Sequence, residues 1–243
     1  MKKPLWVSHR GYHKEHTENT YEAFVKSREL GFPAVETDVR ITKDGHMVIH
    51  HDYGLERLFG IDKKSDEFTR EELEALRYPK GESILFFEDF AREFSTFHWI
   101  LDIKLETGAR VLKALLEWSR ENGLFEHLSE RTHYLLWHEE HEAYLRESIP
   151  NAVLYARKDQ CYRAGLTTLV GLSFLANIQP DRIYSLTPRI FGIPLYRKAM
   201  VNAYHKRGAK CIAFLPEKEE DVRAAIRLGF DEILTNEEML SED

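Results

Sequence analysis

Between Ser8 and Asp52 the chain sets polar groups at the ends of short apolar runs. Leu5-Trp6-Val7 leads into Ser8-His9-Arg10-Gly11, Phe32 to Val35 into Glu36-Thr37-Asp38, and Met47-Val48-Ile49 into His50-His51-Asp52. His9 and His51, one giving a proton and one taking it, can run acid–base catalysis near neutral pH. Arg10 offers a planar fork suited to a phosphoryl oxygen and suited equally to pairing with Glu18. Glu36 and Asp38 lie two apart, so on a strand they share a face; alone they read as readily as an ordinary ion-paired couple. Asp102 and Glu106 flank Lys104 with the same spacing, which brings a point charge and a third carboxylate from one or the other. Three carboxylates with few soft ligands favour a hard cation, Mg²⁺ or Ca²⁺, over zinc. Local cations for an anion, a metal and two histidines together point to a phosphoester. The chain has 12 histidines, and His13, His16, His127, His138, His141 and His205, set among charged residues, read as solvated.

The elements that must position these groups follow from the pattern around them. Asn19 and Glu22 have capping-box spacing for a helix that Gly31 stops. Between Asp38 and Val48 there is no room for the helix of a parallel crossover, so an extended return is expected. Residues 53–97 read as an insertion and a following helix: Thr69 and Glu72 form a capping box, and Phe87, Phe90, Ala91 and Phe94 form a helical stripe of core type. Regular alternation then resumes, with helices expected over Ala109 to Asn122, Glu139 to Glu147, Leu166 to Ala176, Pro194 to Gly208 and Glu219 to Leu228. Repeated strand–helix units predict an α/β fold with a parallel sheet closed into a barrel, its functional groups at the C-terminal strand ends. Nine strand candidates compete for eight places, the weakest being Ala152 to Ala156.

Composition bounds the rest. At 243 residues and 43% hydrophobic content, one barrel domain over residues 1–243 is expected. A net charge of -7 gives no general electrostatic reason for nucleic acid or an anionic membrane to bind. Cys161 and Cys211 form no zinc or redox motif, which favours free thiols and a cytoplasmic setting. The apolar run at the N-terminus is too short for a signal peptide or a membrane span, so no stable membrane insertion is expected.

SHRG, then TENTYEAF, then ELGFPAVETDVRITKDGHMVIHHD resemble the glycerophosphodiester phosphodiesterase family, whose pattern runs HRG, ENT, E-x-D-V, T-x-D-G and HD in that order. The resemblance continues through FTREELEALR, FFEDF and DIK to RLGFDEILT and is poorest from Leu124 to Arg189. It implies a TIM-type (β/α)8 barrel with a small insertion after the third strand. It also implies hydrolysis, with a divalent cation, of a small-molecule phosphodiester to an alcohol and sn-glycerol 3-phosphate. By motif, His9 and His51 become the acid–base pair, Arg10 a phosphate ligand, and Glu36 and Asp38 metal ligands. Glu18 would hold the site together through Arg10, and Lys104 would face the phosphate or a metal-bound oxygen. Four departures fall where the organic parts of a substrate are expected. Asp102 of DIK replaces a glutamate, with Glu106 as a possible substitute ligand. Ala213 to Glu217 and Thr235 to Glu238 replace the family's WTxN and TD-x-P elements. Leu135-Leu136-Trp137 replaces a serine-rich element. Two alternatives therefore stand beside the glycerophosphodiester: a lysophospholipid or other phosphodiester as substrate, and a catalytically lapsed barrel that binds a phosphate ester.

Overall fold

The computed structural model describes residues 3–240. The chain divides into two compact units, residues 9–152 and the N-terminal segment through Ser8 together with residue 153 onward. Eight strands alternate with helices and run parallel to their neighbours: β1 (Leu5–His9), β2 (Ala34–Ile41), β3 (His98–Ile103), β4 (Thr132–Leu136), β5 (Val153–Tyr155), β6 (Arg182–Leu186), β7 (Lys210–Phe214) and β8 (Glu232–Thr235). In the first unit β2 pairs with β3 and β3 with β4. In the second, β1, β8, β7, β6 and β5 are successive parallel neighbours. This is the TIM-type (β/α)8 fold.

The surplus strand candidate is Met47–Ile49, whereas Val153–Tyr155 takes a place in the parallel set. After β2 a turn closed by Thr42 and by Gly45, at φ 93°, sends the chain back antiparallel, so that Val39 faces Ile49 and Ile41 faces Met47. The expected extended return is this hairpin. Three residues of β5 leave almost no periodicity to read, which is why it looked weakest.

The insertion follows that antiparallel strand. It holds a small hairpin, Gly54–Leu55 with Ile61–Lys64, and the helix Arg70–Glu74, whose capping box of Thr69 and Glu72 is present as expected. Leu55, Leu73, Tyr78 and Phe86 pack there on Val48. The phenylalanine stripe forms the helix Phe87–Glu93, and Phe87, Phe90 and Phe94 are fully buried with Phe24 and Trp99. Ring centroids lie 4.9 Å apart for Phe24 and Phe90, and 5.4 Å for Phe90 and Trp99.

Some local expectations shift. The helix Tyr21–Glu29 is capped by Thr20, whose hydroxyl accepts from the Ala23 N–H at 3.3 Å, and Asn19 is occupied elsewhere. The helix expected over Leu166 to Ala176 lies earlier, at Lys158–Leu169, because Gly165 is tolerated inside it and the chain turns at Gly171, φ 80°. Pro194 pairs with Arg189 in a small hairpin, and the following helix is Lys198–His205. His127 is buried rather than solvated, its ring 3.8 Å from that of Trp99 and its Nε2 donating to the Phe97 carbonyl. Cys161 and Cys211 are free thiols. Among the described residues no helix is long and apolar enough to cross a membrane.

Candidate active site

β2 places Glu36 and Asp38 on one buried face, and its register with β3 sets Asp38 directly beside Asp102. The three carboxylates each offer an oxygen within 4.8 Å of the others. Lys104 bridges two of them, its Nζ 2.6 Å from Asp38 Oδ1 and 2.5 Å from Asp102 Oδ2. Glu106 does not join them. β3 ends at Ile103 and a 3₁₀ turn over Leu105–Thr107 breaks the alternation, so Glu106 is 41% exposed and pairs with Arg40 NH1 at 3.1 Å. Asp102 is therefore the carboxylate on the cluster.

The loop after β1 brings in the first histidine and the arginine. Arg10 and Gly11 both take left-handed backbone, at φ 54° and 73°, which folds the chain sharply over the strand end. The Arg10 backbone N–H donates to the Glu36 carbonyl, and its guanidinium lies 3.1 Å from Glu18 Oε1 and 3.2 Å from Asp38 Oδ2. His9 Nε2 lies 3.8 Å from Glu36 Oε2. Asn19, at φ 61°, donates to Asp38 Oδ2 at 2.8 Å and accepts from the Thr37 hydroxyl at 2.9 Å. Its position inside ENT suggested a helix cap; in the fold it orients a carboxylate.

His51 follows the antiparallel strand and is held at both ends. Its Nδ1 lies 2.7 Å from Asp52 Oδ1, and its backbone carbonyl accepts from Arg40 Nε and NH2 at 3.0 and 2.8 Å. Arg57, from the insertion, closes a ring of charges: its Nε meets Asp52 Oδ2 at 2.5 Å and its NH2 meets Glu18 Oε1 at 2.6 Å. One guanidinium thus ties the carboxylate behind His51 to the carboxylate behind Arg10. Arg40 and Arg57 carried no motif signal, since each also reaches a distant carboxylate, Glu106 at 66 residues and Glu18 at 39. Trp137, just past β4, donates its indole N–H to Asp102 Oδ1 at 2.7 Å. Phe214 ends β7 in the other unit, partly exposed.

The electrostatics explain what the cluster lacks. Burial, then the neighbouring Asp38 and Asp102, push the Glu36 carboxyl well above its usual range. Burial also raises Asp102, against the pull of Lys104. Burial works to raise Asp38 too, but Lys104, Arg10 and His51 outweigh it and hold that carboxyl low. Three buried carboxyl groups face two cations, Arg10 and Lys104, so a third negative charge has no partner among them, and Glu36 and Asp102 hold their protons more tightly instead. An oxygen-only donor set with that deficit fits a hard divalent cation.

The profile of the glycerophosphoryl diester phosphodiesterase family matches residues 9–161, which contain the carboxylate cluster, both histidines and the cations around them. The chain belongs to that family. It is accordingly an enzyme of the phosphodiesterase class, a hydrolase. A glycerophosphodiester phosphodiesterase of Caldanaerobacter subterraneus subsp. tengcongensis is 27% identical, covering 97% of this chain and 95% of its own. A probable glycerophosphodiester phosphodiesterase of Mycobacterium tuberculosis is 24% identical over 98% of this chain and 89% of its own. The crystal structure of a glycerophosphoryl diester phosphodiesterase domain from M. tuberculosis superposes with a TM-score of 0.78 at 16% identity, covering 97% of this chain and 96% of that one, a likeness of fold.

Proposed function

We propose that the chain hydrolyses glycerophosphodiesters to an alcohol and sn-glycerol 3-phosphate, with a divalent cation, Mg²⁺ or Ca²⁺, on Glu36, Asp38 and Asp102. The observation that carries this reading is the buried three-carboxylate cluster with Arg10 against it and His9 Nε2 3.8 Å from Glu36. When bound, the cation would neutralise charge gathering on the phosphoryl oxygens. Arg10, oriented by Glu18 and Asp38, receives one of those oxygens. Lys104 adds positive charge on the same side. One of His9 and His51 takes the proton of the substrate's glycerol hydroxyl as that oxygen attacks phosphorus, and the other protonates the departing alcohol. Water then opens the cyclic ester with the two proton roles reversed. Asp52 fixes the His51 ring through Nδ1, which directs Nε2 toward proton transfer. The free thiols agree with a cytoplasmic setting, and the proposed product, sn-glycerol 3-phosphate, would give the enzyme a role in lipid and glycerol metabolism.

The test is release of glycerol phosphate by purified protein with Mg²⁺, with Ca²⁺ and with a chelator, over a panel of glycerophosphodiesters and lysophospholipids. Release that needs a cation supports the reading. No glycerol phosphate from any glycerophosphodiester overturns it, and cleavage confined to the lysophospholipids moves the substrate. A His51→Ala variant as active as the parent removes His51 from the chemistry.

A further inference from the structure

The net charge of -7 conceals a strongly basic stretch. From Asn151 to Lys210 the chain carries ten lysines and arginines against two aspartates and no glutamate, a local balance of +8. The same stretch holds most of the exposed large hydrophobic residues of the second unit. In the helix Lys158–Leu169 the buried side chains are Gln160 and Ala164, while Lys158, Tyr162 and Leu166 repeat every four residues on the solvent face and lead to Val170. The chain then folds back, with the Leu172 N–H on the Thr167 carbonyl, and a short turn presents Phe174 at 72% exposure beside Leu175. Leu166 and Val170 are 52% and 67% exposed. Basic groups are interleaved with these side chains, beside one exposed acidic group, Asp159, which pairs with Arg157 Nε at 3.7 Å. Lys158 Nζ lies 5.9 Å from the Tyr162 ring, Arg163 is exposed beside it, and Arg207 donates to the Ser173 carbonyl within the turn. On the hairpin farther along, Phe191 is 95% exposed and Arg189 is exposed too.

We infer that the helix–turn face from Lys158 to Leu175 docks on an anionic lipid surface, its aliphatic and aromatic side chains entering the headgroup boundary and its lysines and arginines facing lipid phosphates. Exposed Leu, Val and Phe lose contact with water there, and each cation near the surface adds attraction that salt screens. A second copy of the chain is disfavoured as the occupant, because this face against itself would oppose Lys158, Arg163 and Arg207 to their own copies with Asp159, already paired to Arg157, as the one acidic group to meet them. Nucleic acid would use the cations but has no place for a Leu–Val stripe. Docking needs no membrane-crossing helix, and it is independent of the hydrolase reading.

The test is cosedimentation of the full chain with phosphatidylcholine vesicles, with and without about a third of phosphatidylglycerol, an acidic fraction chosen for surface potential. Expected is binding to the anionic vesicles, little to phosphatidylcholine alone, and weakening as salt rises. A Leu166→Gln/Phe174→Gln variant should lose about ten-fold or more in partition. A Lys158→Gln/Arg163→Gln variant should lose the preference for anionic lipid. Both should keep the parental melting temperature and hydrolysis of water-soluble substrate. No binding to anionic vesicles at low salt overturns the inference, as does binding that neither variant alters. Dimerisation of the parent that the Leu166/Phe174 variant abolishes assigns the face to a second copy. Binding to an oligonucleotide as tight as to vesicles, and insensitive to that variant, makes it a polyanion site instead.

Discussion

Asp102 and Trp137 are two departures from the family's pattern, and the side chains meet. The indole N–H holds Oδ1 while Lys104 holds Oδ2, so the shorter carboxylate is fixed from both sides. Trp137→Phe removes the donor and keeps most of the ring. It should weaken Mg²⁺ or Ca²⁺ binding about ten-fold in a calorimetric titration, the usual scale for losing a partner behind a ligand, with the metal-free protein melting unchanged. Glu106→Gln should leave that affinity within about two-fold, because Glu106 serves Arg40 and stands apart from the cluster. Asp102→Asn should lose more than either. Gly11 is a different kind of residue: at φ 73°, a Cβ there would come within 2.8 Å of the Ala23 backbone and side chain. Gly11→Ala should cost roughly 2–4 kcal/mol in denaturant unfolding, combining left-handed strain with displacement of the helix beneath Arg10.

At the scale of elements, the insertion supplies a structural part of the site. Its Arg57 holds Asp52 and reaches back 39 residues to Glu18, so the loop that carries His51 and the loop that carries Arg10 share one brace. Arg57 is about half exposed, and its contribution to global stability should be small. Arg57→Ala should lower kcat about ten-fold by loosening both loops, with a shift of under about 1 kcal/mol in unfolding free energy. An equal loss of stability and activity would make the brace merely structural. The motifs themselves were legible because each packs its polar residues into a few positions after an apolar run, so local spacing alone places them at strand ends. Arg40, Arg57 and the true role of Asn19 were not, because each is defined by a partner that only the folded chain brings near. Glu106 was misread for a related reason: strand alternation was extended one step past Ile103, where the backbone turns.

At the scale of the molecule, the repeating strand–helix rhythm was enough to read the barrel, and the surplus strand was misplaced because Met47–Ile49 and Val153–Tyr155 are both three residues long, too short for periodicity to tell a barrel strand from a hairpin arm. Stability against acid is also a property of the whole chain, and one buried group sets a window of its own. His50 is 2% exposed, its Nε2 on the Gly54 carbonyl, and burial pulls its imidazole from 6.5 down to about 4. Above pH 6.5 the ring is neutral whether the chain is folded or not, and it takes no part in the pH dependence. As pH falls from 6.5 toward 4 the unfolded chain gains a proton that the folded chain refuses, so folding is opposed by up to about 3 kcal/mol. The carboxylates held low, such as Asp52 and Glu82, lose their contribution only at lower pH, near and below the usual carboxylate range. The raised Glu36 and Asp102 carboxyls take up protons in the folded chain over the same window and act the other way in both proteins, so His50 is read as a difference: denaturant midpoints measured between pH 7.5 and 4.5 should drop further, or rise less, for the parent than for His50→Gln. The difference between the two curves should open below pH 6.5 and level off near 4. Parallel curves would mean that the buried ring is protonated in the folded protein.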